Sequence, residues 1–110
     1  AFLDISQVTP GHTLVIPKKH ARNLLEMTPD ETADLFNVVS TVTKKVESAT
    51  QPQGMNIISN MEEIAGQSVF HTHVHILPRY SQDDDLKIDF IAHEPDFDHL
   101  AQLAKDISNH

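Results

Sequence analysis

Between Phe70 and Leu77 the chain alternates imidazole with residues that favour β structure, Phe70-His71-Thr72-His73-Val74-His75-Ile76-Leu77. Side chains alternate faces in a strand, so this spacing sets His71, His73 and His75 on one face. Phe70, Thr72, Val74 and Ile76 fall on the other. Imidazole is a poor core filler, because each ring brings a donor and an acceptor that must find partners. A row of three, backed by an apolar row, therefore predicts a strand with one face in the core and the other in a working site. Three chemistries use such a row: a metal site, an anion-binding cluster, or a nucleophilic histidine flanked by helpers.

The 110 residues predict one domain, residues 1–110, with a single modest core. No apolar run is long enough to cross a bilayer, and no membrane partner is expected. Without cysteine there is neither a disulfide framework nor a thiolate metal site, and a cytoplasmic location is the default expectation. Sixteen acids against eight Lys plus Arg give a net charge of −8. That charge lacks the broad positive field of a nucleic-acid binder. A small anion can still be held locally, and Lys18, Lys19, Arg22 and Arg79 lie near the candidate site segments. Asp83 to Asp85 read as a solvated loop. The opening Ala1-Phe2-Leu3-Asp4-Ile5, apolar and without an initiator Met, reads as a processed or truncated start.

The rest of the pattern is α+β. Residues 2–6 and His12 to Pro17 read as strands separated by the turn Pro10-Gly11, and a helical turn is expected around Arg22 to Met27. Thr28-Pro29-Asp30-Glu31 is a capping box with proline at the first helical position. Leu35, Val38, Val39, Val42, Val46 and Ala49 continue it at helical spacing, and Gln51-Pro52-Gln53-Gly54 ends it near Thr50. Met55 to Ser59 reads as a third strand and Asn60 to Gln67 as a loop. Ser68 to Leu77 forms the histidine strand, closed by Pro78. A terminal helix starts among Glu94 to Asp98 and packs on the sheet through Leu100, Leu103, Ala104 and Ile107. The architecture expected is an antiparallel sheet with one long helix and a C-terminal helix.

A metal explains the histidines poorly. His71 and His75 stand about 13 Å apart along a strand at roughly 3.3 Å per residue, and one strand rarely converges three ligands. Phosphoryl chemistry explains more of the neighbourhood. An imidazole nitrogen attacking phosphorus splits one substitution into two easier ones. It needs a fixed tautomer and donors for the phosphoryl oxygens. Gly66-Gln67-Ser68, just ahead of the row, offers backbone N–H groups, an amide and a hydroxyl for that purpose.

Ala65 to Leu77 strongly resembles the signature of the histidine triad (HIT) superfamily, His-φ-His-φ-His-φ-φ with φ apolar, Thr72 being a mild departure at a position that faces away from the histidines. Phe2-Leu3-Asp4-Ile5 and Pro10 to His20 resemble the family's upstream strands and its fourth histidine, so the resemblance covers most of residues 2–80. It implies a nucleotidyl hydrolase or transferase that cleaves at the α-phosphate through a nucleotidyl-histidine intermediate; from the linear row and the lack of other ligand spacing, no metal and no cofactor are expected. His73 would be the nucleophile, flanked by His71 and His75, with His12 supporting His71. Ser68 would assist the leaving group, and Asp4, Asn60 and Gln67 would contact ribose and phosphate. Serine at position 68 points to the Hint-like, purine nucleoside phosphoramidase branch. The rivals are dinucleoside polyphosphate hydrolysis by the same residues and a nucleotide-binding module with vestigial catalysis. The resemblance also implies a homodimer paired through the long helix and an edge strand. Family members carry roughly thirty residues ahead of Ala1 that help form the base pocket. His20, His93, His99 and His110 read as surface residues.

Overall fold

The computed structural model describes residues 1–110. Its strands are β1 (Phe2–Leu3), β2 (Thr13–Val15), β3 (Gly54–Ile58) and β4 (Val74–Arg79), and its helices α1 (Pro29–Thr50) and α2 (Phe97–Ser108). Single 3₁₀ turns lie at Leu24–Glu26 and Glu63–Ala65. The strands form one antiparallel sheet in the order β1-β2-β4-β3.

Helix α1 begins as its sequence dictates. Thr28 Oγ1 accepts the Glu31 N–H at 3.2 Å, Glu31 Oε1 accepts the Thr28 N–H at 3.0 Å, and Pro29 fills the first position, where no donor is needed. It ends at Gln51, which turns left-handed at φ 50° and sends its N–H back to Glu47 O. One stripe of α1 is buried: Leu35 and Val39 meet Val15, Val74 and Ile76, and Leu24, Met27, Val42, Val46 and Met55 pack around that centre. Val38 and Ala49, expected in the stripe, are exposed.

The register sets the two faces of the sheet. Val15 lies opposite Val74 and Thr13 opposite Ile76, so these side chains turn toward α1, while Leu14 opposite His75 turns away. The core therefore fixes the histidine face by default, because slipping β4 by one residue would bury imidazole and expose Val74 and Ile76.

Four expectations from the sequence need correction. The first two strands are shorter than expected. Strand β4 starts at Val74, so His71 and His73 precede the ladder. Pro78 does not close it: Pro78 pairs with Met55, and pairing with β2 involves only Val74 to Ile76, so the proline sits where β3 alone borders β4 and a missing donor is tolerated. The C-terminal helix does not pack on the sheet. It is well capped, with Asp96 Oδ1 accepting the His99 N–H at 3.1 Å, yet every residue from Lys87 to His110 is exposed. The radius of gyration, 16.5 Å against about 13 Å for a compact chain of this length, reflects that projecting arm. No helix is long and apolar enough to cross a membrane.

Candidate active site

The histidines are held by different anchors at the two ends of the row. His75 lies in β4. His71 and His73 are positioned instead by Thr72, whose N–H and hydroxyl both donate to Ala21 O, at 2.7 and 2.9 Å, while Ser59 Oγ donates to His73 O at 2.9 Å. Thr72 is thus more than a harmless departure from an apolar position: its hydroxyl is buried and bonded. The alternation survives, with Thr72, Val74 and Ile76 buried and all three histidines half-buried. These histidines line a cleft of about 360 Å³ together with Asp4, Leu14, Ser68 and Val69. A larger groove of about 500 Å³, between β2 and α1, holds no imidazole.

Hydrogen bonds assign every ring proton in the row. His73 Nδ1 lies 2.8 Å from His71 O; a carbonyl only accepts, so Nδ1 carries the proton and Nε2 keeps a free lone pair. His71 Nε2 faces Pro17 O at 3.0 Å and carries its proton there, leaving Nδ1 to accept from His20 Nδ1 at 3.2 Å. His12 Nδ1 accepts the Val8 N–H at 3.4 Å, which puts the His12 proton on Nε2, 2.9 Å from His75 Nδ1. Neutral His75 therefore carries its own proton on Nε2. The outcome is one uncommitted imidazole lone pair, on His73, beside one uncommitted imidazole N–H, on His75, with ring centroids 5.0 Å apart. A nucleophile beside a donor for developing negative charge is the arrangement that substitution at phosphorus needs.

Burial favours the neutral form of two of these rings, His12 and His75. Burial holds the pKa of His12 below the usual imidazole value, with the Asp4 carboxylate opposing. Burial also lowers that of His75, helped by His73 and His12. Asp4, His12 and His75 bring potential ligand atoms within 4.8 Å of one another, the composition of a metal site. Val8, however, fixes the proton of His12 between the two rings, and a nitrogen–nitrogen distance of 2.9 Å is that of a shared proton. Asp4 stands 3.7 Å from His12 Nε2, and its other oxygen accepts the N–H and hydroxyl of Ser6 at 2.8 and 2.6 Å. Those Ser6 bonds depress its pKa.

Several sequence expectations are redirected. His12, which immediately precedes β2 and lies two residues before Leu14, the ladder partner of His75, supports His75 and not His71. The partner of His71 is His20, which is exposed as the sequence predicts but sets its Nδ1 3.2 Å from His71 Nδ1; its only signal was a histidine outside the triad just past Pro17. Gln67 is fully buried. Its Nε2 donates to Arg22 O at 2.5 Å and Val69 O at 3.2 Å, and its Oε1 accepts the Glu62 N–H at 2.8 Å, so its amide braces the loop rather than facing the cleft. Asn60 turns its amide toward Gly66 O, at 3.5 Å. Of the four cations, Lys19 pairs with Glu31, Arg22 with Glu62 and Arg79 with Asp84. Asp84 is no solvated loop acid: it accepts the Tyr80 and Ser81 N–H groups and ties down the end of β4.

The loop before the row holds two left-handed residues. Gly66, at φ 100°, would press a Cβ to 3.4 Å of Asn60 Nδ2. Glu62 is the costlier one, at φ 73° and ψ 159°, a region nearly reserved for glycine that costs about 1–3 kcal/mol otherwise. Its carboxylate receives Arg22 Nε at 2.6 Å, Arg22 Nη2 at 2.8 Å and Asn23 Nδ2 at 2.9 Å.

The family model described as the HIT domain matches residues 1–82. Protein hit of Bacillus subtilis is 45% identical over 97 residues, covering 88% of this chain and 67% of its own length. A crystal structure from Streptococcus mutans UA159 matches at 55% identity with a TM-score of 0.93, over 98% of this chain and 68% of that one. The adenosine 5'-monophosphoramidase of Schizosaccharomyces pombe is 35% identical over 109 residues, 99% of this chain and 79% of its own. The chain thus spans about two thirds to four fifths of the length of these relatives.

Proposed function

The chain belongs to the histidine triad (HIT) family, and on that premise we propose that it is a nucleotide-binding hydrolase or transferase acting on nucleoside phosphoramidates or related nucleotides. One observation carries this reading: of the three clustered imidazoles, only His73 combines a pinned proton on Nδ1 with a free lone pair on Nε2. In the proposed reaction His73 Nε2 attacks the α-phosphorus. The bond from phosphorus to the leaving nitrogen or oxygen breaks, and the nucleotidyl group is carried on the ring. Water then attacks phosphorus, the bond to His73 breaks, and the nucleoside monophosphate leaves.

The His75 Nε2–H stabilises the phosphoryl oxygens, and the Ser68 hydroxyl, on the rim of the same cleft, delivers a proton to a departing amine and recovers one from the water that attacks in the second step. The name of the yeast relative, an adenosine 5'-monophosphoramidase, supports an amine as leaving group and a purine as base. Asp4 and Asn60 are read as ribose-side residues, whereas Gln67 acts through the loop it braces. A homodimer is also proposed, pairing through α1 and the β3 edge, where Phe36, Val38 and Ile57 are exposed. Turnover of adenosine 5'-phosphoramidate to AMP, lost in His73→Ala with the fold retained, is the expected result; an equally active variant overturns the assignment.

A further inference from the structure

The strained Glu62 lies outside the histidine cluster, yet both sides of Ser68 are tied to it. Glu62 O accepts the N–H of Gln67, the residue before Ser68, at 3.1 Å, and that of Ala65 at 3.0 Å. The Glu62 N–H holds Gln67 Oε1, and the same Gln67 amide donates to the carbonyl of Val69, the residue after Ser68. Ser68 is therefore suspended between two backbone groups fixed through Glu62. The carboxylate supplies the force that keeps this residue in a conformation it would otherwise leave: it takes three N–H donors from the 22–23 segment. The Arg22 guanidinium also stacks on Phe70, 4.1 Å from the ring centroid. That segment reaches the row again through Ala21 O, the acceptor for Thr72.

From these contacts we propose that Glu62 is a positioning residue for Ser68: its ion pair with Arg22 holds the 62–70 loop at the height from which the Ser68 hydroxyl meets the leaving group. The inference rests on the proposed role of Ser68 as proton donor. It goes further in assigning leaving-group selectivity to a residue that touches no substrate. Leaving groups that need a proton depend on this latch, whereas those that depart as stable anions do not.

The test compares Glu62→Ala, Ser68→Ala and the double variant on an adenosine phosphoramidate and on an adenylate ester of an acidic phenol. Glu62→Ala is expected to lower kcat/KM for the phosphoramidate about tenfold, to change that for the phenol ester less than twofold, and to leave KM for nucleotide unchanged. In the double variant the two losses should not multiply, because a misplaced hydroxyl and a missing one are equivalent. Equal slowing of both substrates, or losses that multiply, overturns the proposal. A second arm does not require activity. Glycine relaxes at φ 73° but alanine does not, so Glu62→Ala should melt below Glu62→Gly, and the Gln67 amide should lose exchange protection in Glu62→Ala while Ile76 keeps it. An alanine variant as stable as the glycine one, or an unchanged Gln67 amide, removes the latch. Failure of wild-type turnover, with this second arm intact, would overturn the enzymatic reading alone.

Discussion

Lowering the pH from 7 should destabilise the fold well before any carboxylate is protonated, through His12 and His75. Each ring is neutral for reasons that are spatial as well as dielectric. A proton added to His12 lands on Nδ1 and faces the Val8 N–H; one added to His75 lands on its Nδ1 and faces the His12 N–H. Both additions create donor–donor contacts in a site where burial already lowers the two pKa values. In the unfolded chain both rings bind protons near pH 6.5, so below that pH the unfolded state holds more protons and stability falls with pH. The slope has a ceiling of about 1.4 kcal/mol per pH unit for each histidine, or about 2.7 for both. Burial lowers both pKa values, so both rings contribute in this direction and neither can exceed that ceiling. Above the unfolded value both rings are neutral in either state and this contribution is constant. Asp4, Glu31, Glu62 and Asp84, all depressed by hydrogen bonds, act in the same direction but only below their ordinary range near pH 4. Urea unfolding between pH 5 and 8 should therefore be flat above about 7 and decline below 6.5. In His12→Gln, whose amide can donate to His75 without titrating, the slope should become shallower. A flat profile from pH 7 to 5, or a wild-type slope retained in His12→Gln, refutes the reasoning.

His20→Ala removes the hydrogen bond to His71 Nδ1; one neutral bond, about 1 kcal/mol, should lower kcat/KM about fivefold with little change in Tm, since His20 is exposed. Unchanged kinetics would return His20 to the solvated surface. Ser68→Ala should slow phosphoramidate cleavage about ten- to a hundredfold and cleavage of a dinucleoside polyphosphate, with its better leaving group, much less. Equal slowing, read as the ratio of kcat/KM values, would reduce Ser68 to a phosphate contact. Gly66→Ala places a Cβ at φ 100° against Asn60 and should cost about 1–2 kcal/mol, seen as a fall of several degrees in Tm. An unshifted Tm would show that the 62–67 loop has an alternative path.

The sequence carried what is locally encoded. Thr28-Pro29-Asp30-Glu31 specified the start of α1 because a capping box is satisfied within four residues, and Gln51-Pro52 specified its end. The two faces of the histidine row were legible because period-two alternation holds whether or not a residue is in the ladder, as His71 and His73 demonstrate. What stayed hidden depends on long-range pairing. That His12 meets His75, and not His71, follows from a register of Leu14 against His75 that no local signal fixes. His20 reaches His71 only because Thr72 hangs from Ala21, 51 residues away. Gln67 beside a histidine motif suggested a substrate contact, but its four polar contacts to the 22–23 and 62–69 segments consume it. The amphipathic pattern of α2 is equally good whether or not its own sheet lies beneath it, so periodicity gave its existence and misjudged its place.

The proposed chemistry turns on a nucleotidyl group carried by His73. Rapid mixing of the protein with adenosine 5'-phosphoramidate, quenched in mild base to spare a phosphorus–nitrogen bond, followed by intact-mass and peptide mass spectrometry, reads it directly. The expected result is a transient gain of one adenylyl group on the peptide containing His73, absent from His73→Ala. Turnover without any adduct, or an adduct on His71, His75 or Ser68 instead, would contradict it.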